Sequence, residues 1–236
     1  SAASDVYKRQ LRDRGSSGWQ LRHLSVCSST ETALTQWLRQ QPWLARQPRA
    51  VLAQHQRFAH GQYGRFWMAP PGGVWLSAAL PWPNGEPSTG LFGLTVALAM
   101  AEQLESHGVS AAIKWPNDLI VGSRKLAGVL PKLVFRGHHV RLARIGVGLN
   151  VCNPVPQGGI ALRELLPPGR CRVRLWQLHT LLALERANQL AAHPQRVVAA
   201  AEQRLWCRSV ADPASGEHWA VLSLIHISEP TRLHCI

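Results

Sequence analysis

No run of 18 apolar residues occurs in the 236-residue sequence, so no membrane-spanning helix is expected. There is no charged start followed by an apolar stretch, which argues against a secretory leader. Cysteine is sparse and scattered: Cys27, Cys152, Cys171, Cys207 and Cys235 are odd in number and form no Cys-x-x-Cys pair. That pattern excludes a zinc knuckle and a disulfide framework, and it fits a reducing cytoplasm. Acidic residues are few, 13 against 26 Lys and Arg, for a net charge of +13. No run of five basic residues occurs, so the charge is diffuse. A diffuse positive field suits a nucleoside-triphosphate enzyme or an acidic protein substrate better than a nucleic-acid groove. Internal repeats and low-complexity tracts are absent.

What is present is core material: 46% of residues are hydrophobic and 17% charged. That is enough for one medium catalytic domain with a small appendage. Residues 114–130 organise the rest. Residues 111–115 are apolar enough for a buried strand, which Pro116 ends. Asn117 and Asp118 favour a turn, and 119–121 resume a strand. Gly122 and Ser123 make a tight reversal into a further strand from Leu126. Lys114, Lys125 and Asp118 thus come from neighbouring strands, and Gly128 permits close approach of a ligand to the backbone. A cation beside such a glycine suits an anionic ligand; from the spacing alone a surface hairpin with solvated lysines is the commoner outcome, since charged turns are common.

The full string decides between these. Lys114, Trp115, Pro116, Asn117 and Asp118, followed by Arg124, Lys125, Leu126, Ala127, Gly128, Val129 and Leu130, resemble the central signature of the biotin protein ligases. Gly64, Arg65, Phe66 and Trp67, leading into Ala69, Pro70, Pro71, Gly72 and Gly73, are similar to that family's loop and following strand. Ile145, Gly146, Val147, Gly148, Leu149 and Asn150 are similar to its later Gly-x-Gly-x-Asn strand end. The resemblance covers roughly residues 24–205. It implies an α+β fold, a mixed and largely antiparallel sheet backed by helices, as in the class II synthetases. The catalytic domain is expected at 21–205, and 206–222 as the truncated start of a small C-terminal β domain. The ends, 1–10 and 223–236, carry no matching periodicity and resemble translated sequencing-adapter read-through; ordinary disordered termini are the alternative. Too few residues precede the matched region to build a helix-turn-helix, so no DNA partner is expected.

In chain order, 21–26 reads as a strand and 28–32 as a capped helix start running to about Gln41. The resemblance places Ser29 and Thr30 in a biotin pocket; a plain N-cap is the alternative, and both can hold. A strand at 50–56 ends on Gln56, which aligns with a biotin-binding glutamine. The next segment departs from the family pattern Gly-Arg-Gly-Arg-x-Gly-Arg. Ala59 stands for its first Gly, His60 for its first Arg and Gln62 for its second Arg, while Gly61, Gly64 and Arg65 remain. In the family this loop orders over the adenylate, with amides and guanidinium groups on phosphate. His60 and Gln62 are therefore carried as biotin-side residues, and Trp67 is expected near adenine. A strand at 73–82, a buried helix from about 90 to 107 capped by Ser88 or Thr89, and Gly108 as its stop follow. His138 and His139 are adjacent on an extended segment and point to opposite faces, so a hairpin turn is preferred to a metal site. A strand spans 140–151, then come a short helical turn at 162–166, an amphipathic helix at 173–192 and a last helix from Pro194 to about Leu205.

The resemblance implies attack of the biotin carboxylate on the α-phosphorus of ATP, then transfer from biotinyl-5′-AMP to a lysine of a biotin carboxyl carrier protein, an acetyl-CoA carboxylase subunit. Lys125 is expected to bridge carboxylate and α-phosphate, and Arg65 to hold phosphate oxygens. Asp118 either orients Lys125 or binds Mg²⁺, which accompanies ATP. Lys114, Asn117 and Asn150 are candidate nucleotide contacts, with Gly128 offering backbone access to biotin. A lipoate–protein ligase and a non-catalytic biotin-binding module are the rival readings.

Overall fold

The computed structural model describes residues 18–43, 47–85, 88–207, 209–211 and 218–220. The expectations for 1–10 and 223–236 lie outside these residues.

Seven strands form one sheet in the order β1-β2-β3-β7-β6-β5-β4. They are β1 (Gln20–Cys27), β2 (Arg49–Gln56), β3 (Val74–Leu80), β4 (Ala112–Lys114), β5 (Asp118–Val121), β6 (Arg124–Arg136) and β7 (His139–Leu149). Only β1 and β2 run parallel, because α1 (Thr30–Gln40) connects them; every other neighbour is antiparallel. The mixed, largely antiparallel sheet expected from the sequence is thus present.

Alternation along the strands sorts two faces. Val74, Leu76, Ala78 and Leu80 of β3, with Ala143, Ile145, Val147 and Leu149 of β7, enter the main core. There they meet α2 (Phe92–Glu105), α3 (Val173–Leu190) and α4 (Pro194–Glu202). On the opposite face Val51, Ala79 and Leu142 pack against Leu34 and Trp37 of α1. Next to that contact the face opens, and the site forms there.

One detail differs from the sequence expectations, and two more were not foreseen. The cap of α2 is not made by Ser88 or Thr89. Leu91 holds the N-cap position without a side-chain bond, and the Ser88 hydroxyl instead donates to the Ala191 carbonyl (3.0 Å) beyond the end of α3. A tertiary partner has taken the group a local cap would use. Strand β6 runs through Pro131, which faces only β7 because β5 pairs no further than Gly128. The edge of β4 is covered: Ile113 N donates to Arg204 O (2.7 Å), and Trp206 N to Ile113 O (3.0 Å).

The helix stop at Gly108 (φ +85°) and the β6–β7 reversal at 137–138 are as expected. In the 206–222 segment, β8 (Ser209–Ala211) and β9 (His218–Ala220) pair antiparallel as a separate two-stranded sheet. Among the described residues no helix is long and apolar enough to cross a membrane.

Candidate active site

Along β7 and β6 the face opposite the main core loses its side chains. Gly146 and Gly148 pair with Leu130 and Gly128, and Ser77 of β3 stands opposite Gly146. The space so created is a cavity of about 310 Å³. Its walls come from the start of α1, the end of β2, the 59–67 segment and the β5–β6 hairpin.

One end of the cavity is a polar cluster. Ser29 caps α1, its hydroxyl accepting from Glu31 N (3.2 Å). Thr30 follows, its backbone N (2.7 Å) and hydroxyl (3.0 Å) both facing Gln56 Oε1. Two donors fix the Gln56 amide with its oxygen toward Thr30, so its Nε2 is the donor left for a ligand. Thr30 Oγ also lies 2.8 Å from Ser77 Oγ. Ser29, Thr30, Gln56 and Ser77 are all buried. Buried donors and acceptors in this density suit a small polar ring.

The other end carries charge. Lys125 Nζ donates to Asp118 Oδ2 at 2.6 Å, with side-chain exposures of 35% and 23%. Adjacent strands set this pair: Asp118 opens β5 opposite Gly128, and Lys125 lies near the start of β6. Asp118 Oδ1 is buried without a hydrogen-bond partner. The ammonium also lies 4.9 Å from the centroid of the Trp67 ring. Trp67 rests on glycine backbone: a Cβ at Gly148 would come within 2.8 Å of its ring, and one at Gly128 within 3.2 Å. Gly128 is therefore the point where Trp67, Asp118 and Lys125 converge.

Beyond Trp67 lies a second cavity of about 210 Å³, lined by Met68, Asn150 and the 156–159 loop. Phe66, Trp67 and Lys125 line both spaces. The 59–67 segment closes over them as a narrow hairpin. Gly61 N donates to Arg65 O (2.7 Å), Trp67 N donates to Ala59 O (2.9 Å), and Tyr63 takes a left-handed conformation (φ 57°) at the tip. His60, Gln62 and Arg65 line the first cavity from this hairpin.

Most residues expected from the sequence come together here: Ser29, Thr30, Gln56, His60, Gln62, Arg65, Trp67, Asn117, Asp118, Lys125 and Gly128. Asn117 does so while its amide donates to Val129 O (2.8 Å), pinning the turn to β6. Lys114 does not line either cavity; its ammonium lies over the Trp206 ring, 4.7 Å from the centroid. Asn150 reaches only the second cavity, its side chain accepting from Asn153 Nδ2 (3.0 Å). Sequence reasoning missed Ser77, whose signal was a lone hydroxyl in an otherwise apolar buried strand. It also missed Glu31 and the 156–159 loop, which Lys125 N holds by donating to Gly158 O (2.8 Å). Among the described residues no group of three or more His, Cys, Asp or Glu could hold a metal.

Residues 24–150 match the model of the Biotin/lipoate A/B protein ligase family, which is more than half of the chain. The chain belongs to that family. Within the family it is similar to the bifunctional ligase/repressor BirA of Escherichia coli, 33% identical over 123 residues, which are 49% of this chain and 38% of that protein. It is also similar to the biotin–[acetyl-CoA-carboxylase] ligase of Paracoccus denitrificans, 31% identical over 121 residues and 50% of each chain. The chain thus spans half or less of these relatives' own lengths. Among solved structures it resembles a biotin protein ligase from Aquifex aeolicus in complex with biotin and ATP. That likeness has a TM-score of 0.67 and 20% identity, and it covers 87% of this chain and 88% of the other. It establishes the ligase fold for this sheet and its four helices.

Proposed function

We propose that this member of the biotin/lipoate ligase family joins biotin to ATP as biotinyl-5′-AMP and passes the biotinyl group to a carrier-protein lysine. One observation carries the reading: Lys125 lines both cavities, one with hydrogen-bonding groups suited to a small ring and the other beyond Trp67, and its ammonium lies over the Trp67 ring between them. Two anions must meet in the first step, and a cation shared by both spaces lowers the repulsion between carboxylate and α-phosphate. The biotin ring would bond Thr30, Gln56 and Ser77, with its chain directed toward Lys125. Arg65, exposed at the hairpin end, would hold phosphate oxygens. The same ammonium would stabilise the phosphate as AMP leaves in the second step.

Asp118 orients Lys125 through Oδ2, which leaves its partnerless Oδ1 as the carboxylate oxygen suited to Mg²⁺ riding on ATP. Such an ion would neutralise phosphate charge. The Aquifex structure holds biotin and ATP, and the Paracoccus relative is named for acetyl-CoA carboxylase; both support the reading, with a carboxyl carrier domain as acceptor. A cytoplasmic site of action fits cysteines scattered along the sequence with no Cys-x-x-Cys pair.

The polar end of the first cavity also weighs against lipoate. Its dithiolane ring would leave the Gln56 amide without a partner in a buried place, which costs about 1–3 kcal/mol. The test is incubation with ATP, labelled biotin and a carrier domain, repeated with lipoate. Biotin-dependent pyrophosphate release and label on the carrier are expected. Release with lipoate alone would identify a lipoate ligase, and binding of biotin without release a non-catalytic module.

A further inference from the structure

Arg144 has no place in the scheme above, yet it is buried beside the cavity. It lies on β7 two residues before Gly146, opposite Ala79 of β3 and Lys132 of β6. The same face of β7 otherwise presents Leu142, Gly146 and Gly148, so Arg144 stands next along the strand to the glycines that line the cavity. Arg144 is 9% exposed. Its bonds to the first turns of α1 run through one nitrogen. Nη2 pairs with Glu31 Oε1 (2.7 Å) and donates to the Glu31 carbonyl (3.1 Å) and to the Thr35 hydroxyl.

A cation is a poor neighbour for a helix N-terminus, where the dipole favours negative charge. Helix stability alone therefore does not call for arginine here. The Glu31 carboxylate offsets the charge, and Glu31 itself lines the cavity and donates its N–H to Ser29. The first turn of α1 is thus held from two sides. Thr30 ties it to β2 and β3 through Gln56 and Ser77, and Arg144 ties it to β7.

We propose that Arg144 is a positioning residue for the polar end of the cavity, fixing through Glu31 where Ser29 and Thr30 stand toward a bound ring. The proposal rests on the ligase reading for the identity of that ring as biotin.

The experiment uses the full chain with Arg144→Met, Glu31→Gln, the double variant and Arg144→Lys. Three readouts are taken: biotin affinity by calorimetry, KM for ATP with kcat from pyrophosphate release, and amide hydrogen exchange at residues 29–31. With Arg144→Met, biotin affinity is expected to fall roughly tenfold while KM for ATP and kcat stay within about twofold. Exchange at 29–31 is expected to quicken, and Arg144→Lys to recover part of both effects. The double variant should match Arg144→Met, since the two side chains act as one unit. Unchanged exchange at 29–31 would overturn the proposal. So would biotin and ATP affinities falling together, which is what a merely structural role gives. If Arg144→Met does not fold, Glu31→Gln decides by the same readouts. Absence of biotin binding in the unaltered chain would defeat the ligase reading instead, and the exchange rates would still judge the positioning.

Discussion

Replacing Lys125 by alanine removes the one cation that, among the described residues, lines both cavities. The backbone at 125 stays held without the side chain, since its N donates to Gly158 O (2.8 Å) and its carbonyl accepts from Ile160 N (3.0 Å). The lost ion pair with Asp118 is partly solvated, at 35% and 23% side-chain exposure, so its loss should cost under about 1 kcal/mol of stability. Catalysis should suffer far more. Removing a charge aimed at a developing anion in a partly closed site costs ~3–4 kcal/mol, roughly 10²–10³ in rate. The structure adds a second effect: Asp118 Oδ1 already lacks a partner, and Lys125→Ala strips Oδ2 of its bond as well. An uncompensated carboxylate would then face the incoming anions, which deepens the loss. The assay is biotin-dependent pyrophosphate release at saturating ATP, alongside a thermal melt. Expected is a rate down by roughly a hundredfold or more with little change in melting point. Near-normal turnover would refute the role given to Lys125, and a collapsed melt would show that the residue acts on the fold.

Four further outcomes are expected. Gly148→Ala places a Cβ 2.8 Å from the Trp67 ring, so it should cost roughly 1–3 kcal/mol by overpacking and raise KM for ATP; calorimetric melting and kinetics check both. Gln62→Arg restores a cation to the 59–67 hairpin and should slow release of biotinyl-AMP; unchanged release in a filter assay would mean that the backbone amides near Gly61 and Gly64 do the holding. Ser77→Ala leaves Thr30 Oγ short of a partner and should weaken biotin binding by about 1–2 kcal/mol in titration calorimetry. Burial, and then the neighbouring Arg174, push the His23 imidazole below its ordinary range. The unfolded chain then binds more protons near pH 6, so stability should fall as pH drops below about 6.5. Denaturant titration of His23→Leu should show a flatter pH profile.

How far the sequence led depended on the range of the forces involved. Strand alternation and turn residues are local, so β1, β2 and the β4–β5–β6–β7 hairpins could be placed from their alternation and from residues such as Pro116, Gly122 and the pair Gly137–His138. The position of Lys125 beside Asp118 followed from that hairpin. Helix α2 was misread at its start because Ser88 found a partner 103 residues away, which no local pattern contains. The signature makes Lys114 a candidate nucleotide contact, and only the tertiary structure shows that the chain at Trp206 returns to the β4 edge with its ring under that ammonium. Ser77 and Arg144 were passed over for a related reason. A polar residue inside an apolar strand becomes meaningful only when the element facing it is known, and here that element is α1.

The most direct measurement is mass analysis of small molecules retained by the full chain after incubation with biotin, ATP and Mg²⁺. The account predicts biotinyl-5′-AMP together with released pyrophosphate, and none of either when biotin is replaced by lipoate. Recovery of unreacted biotin and ATP alone, from a folded chain, would contradict it.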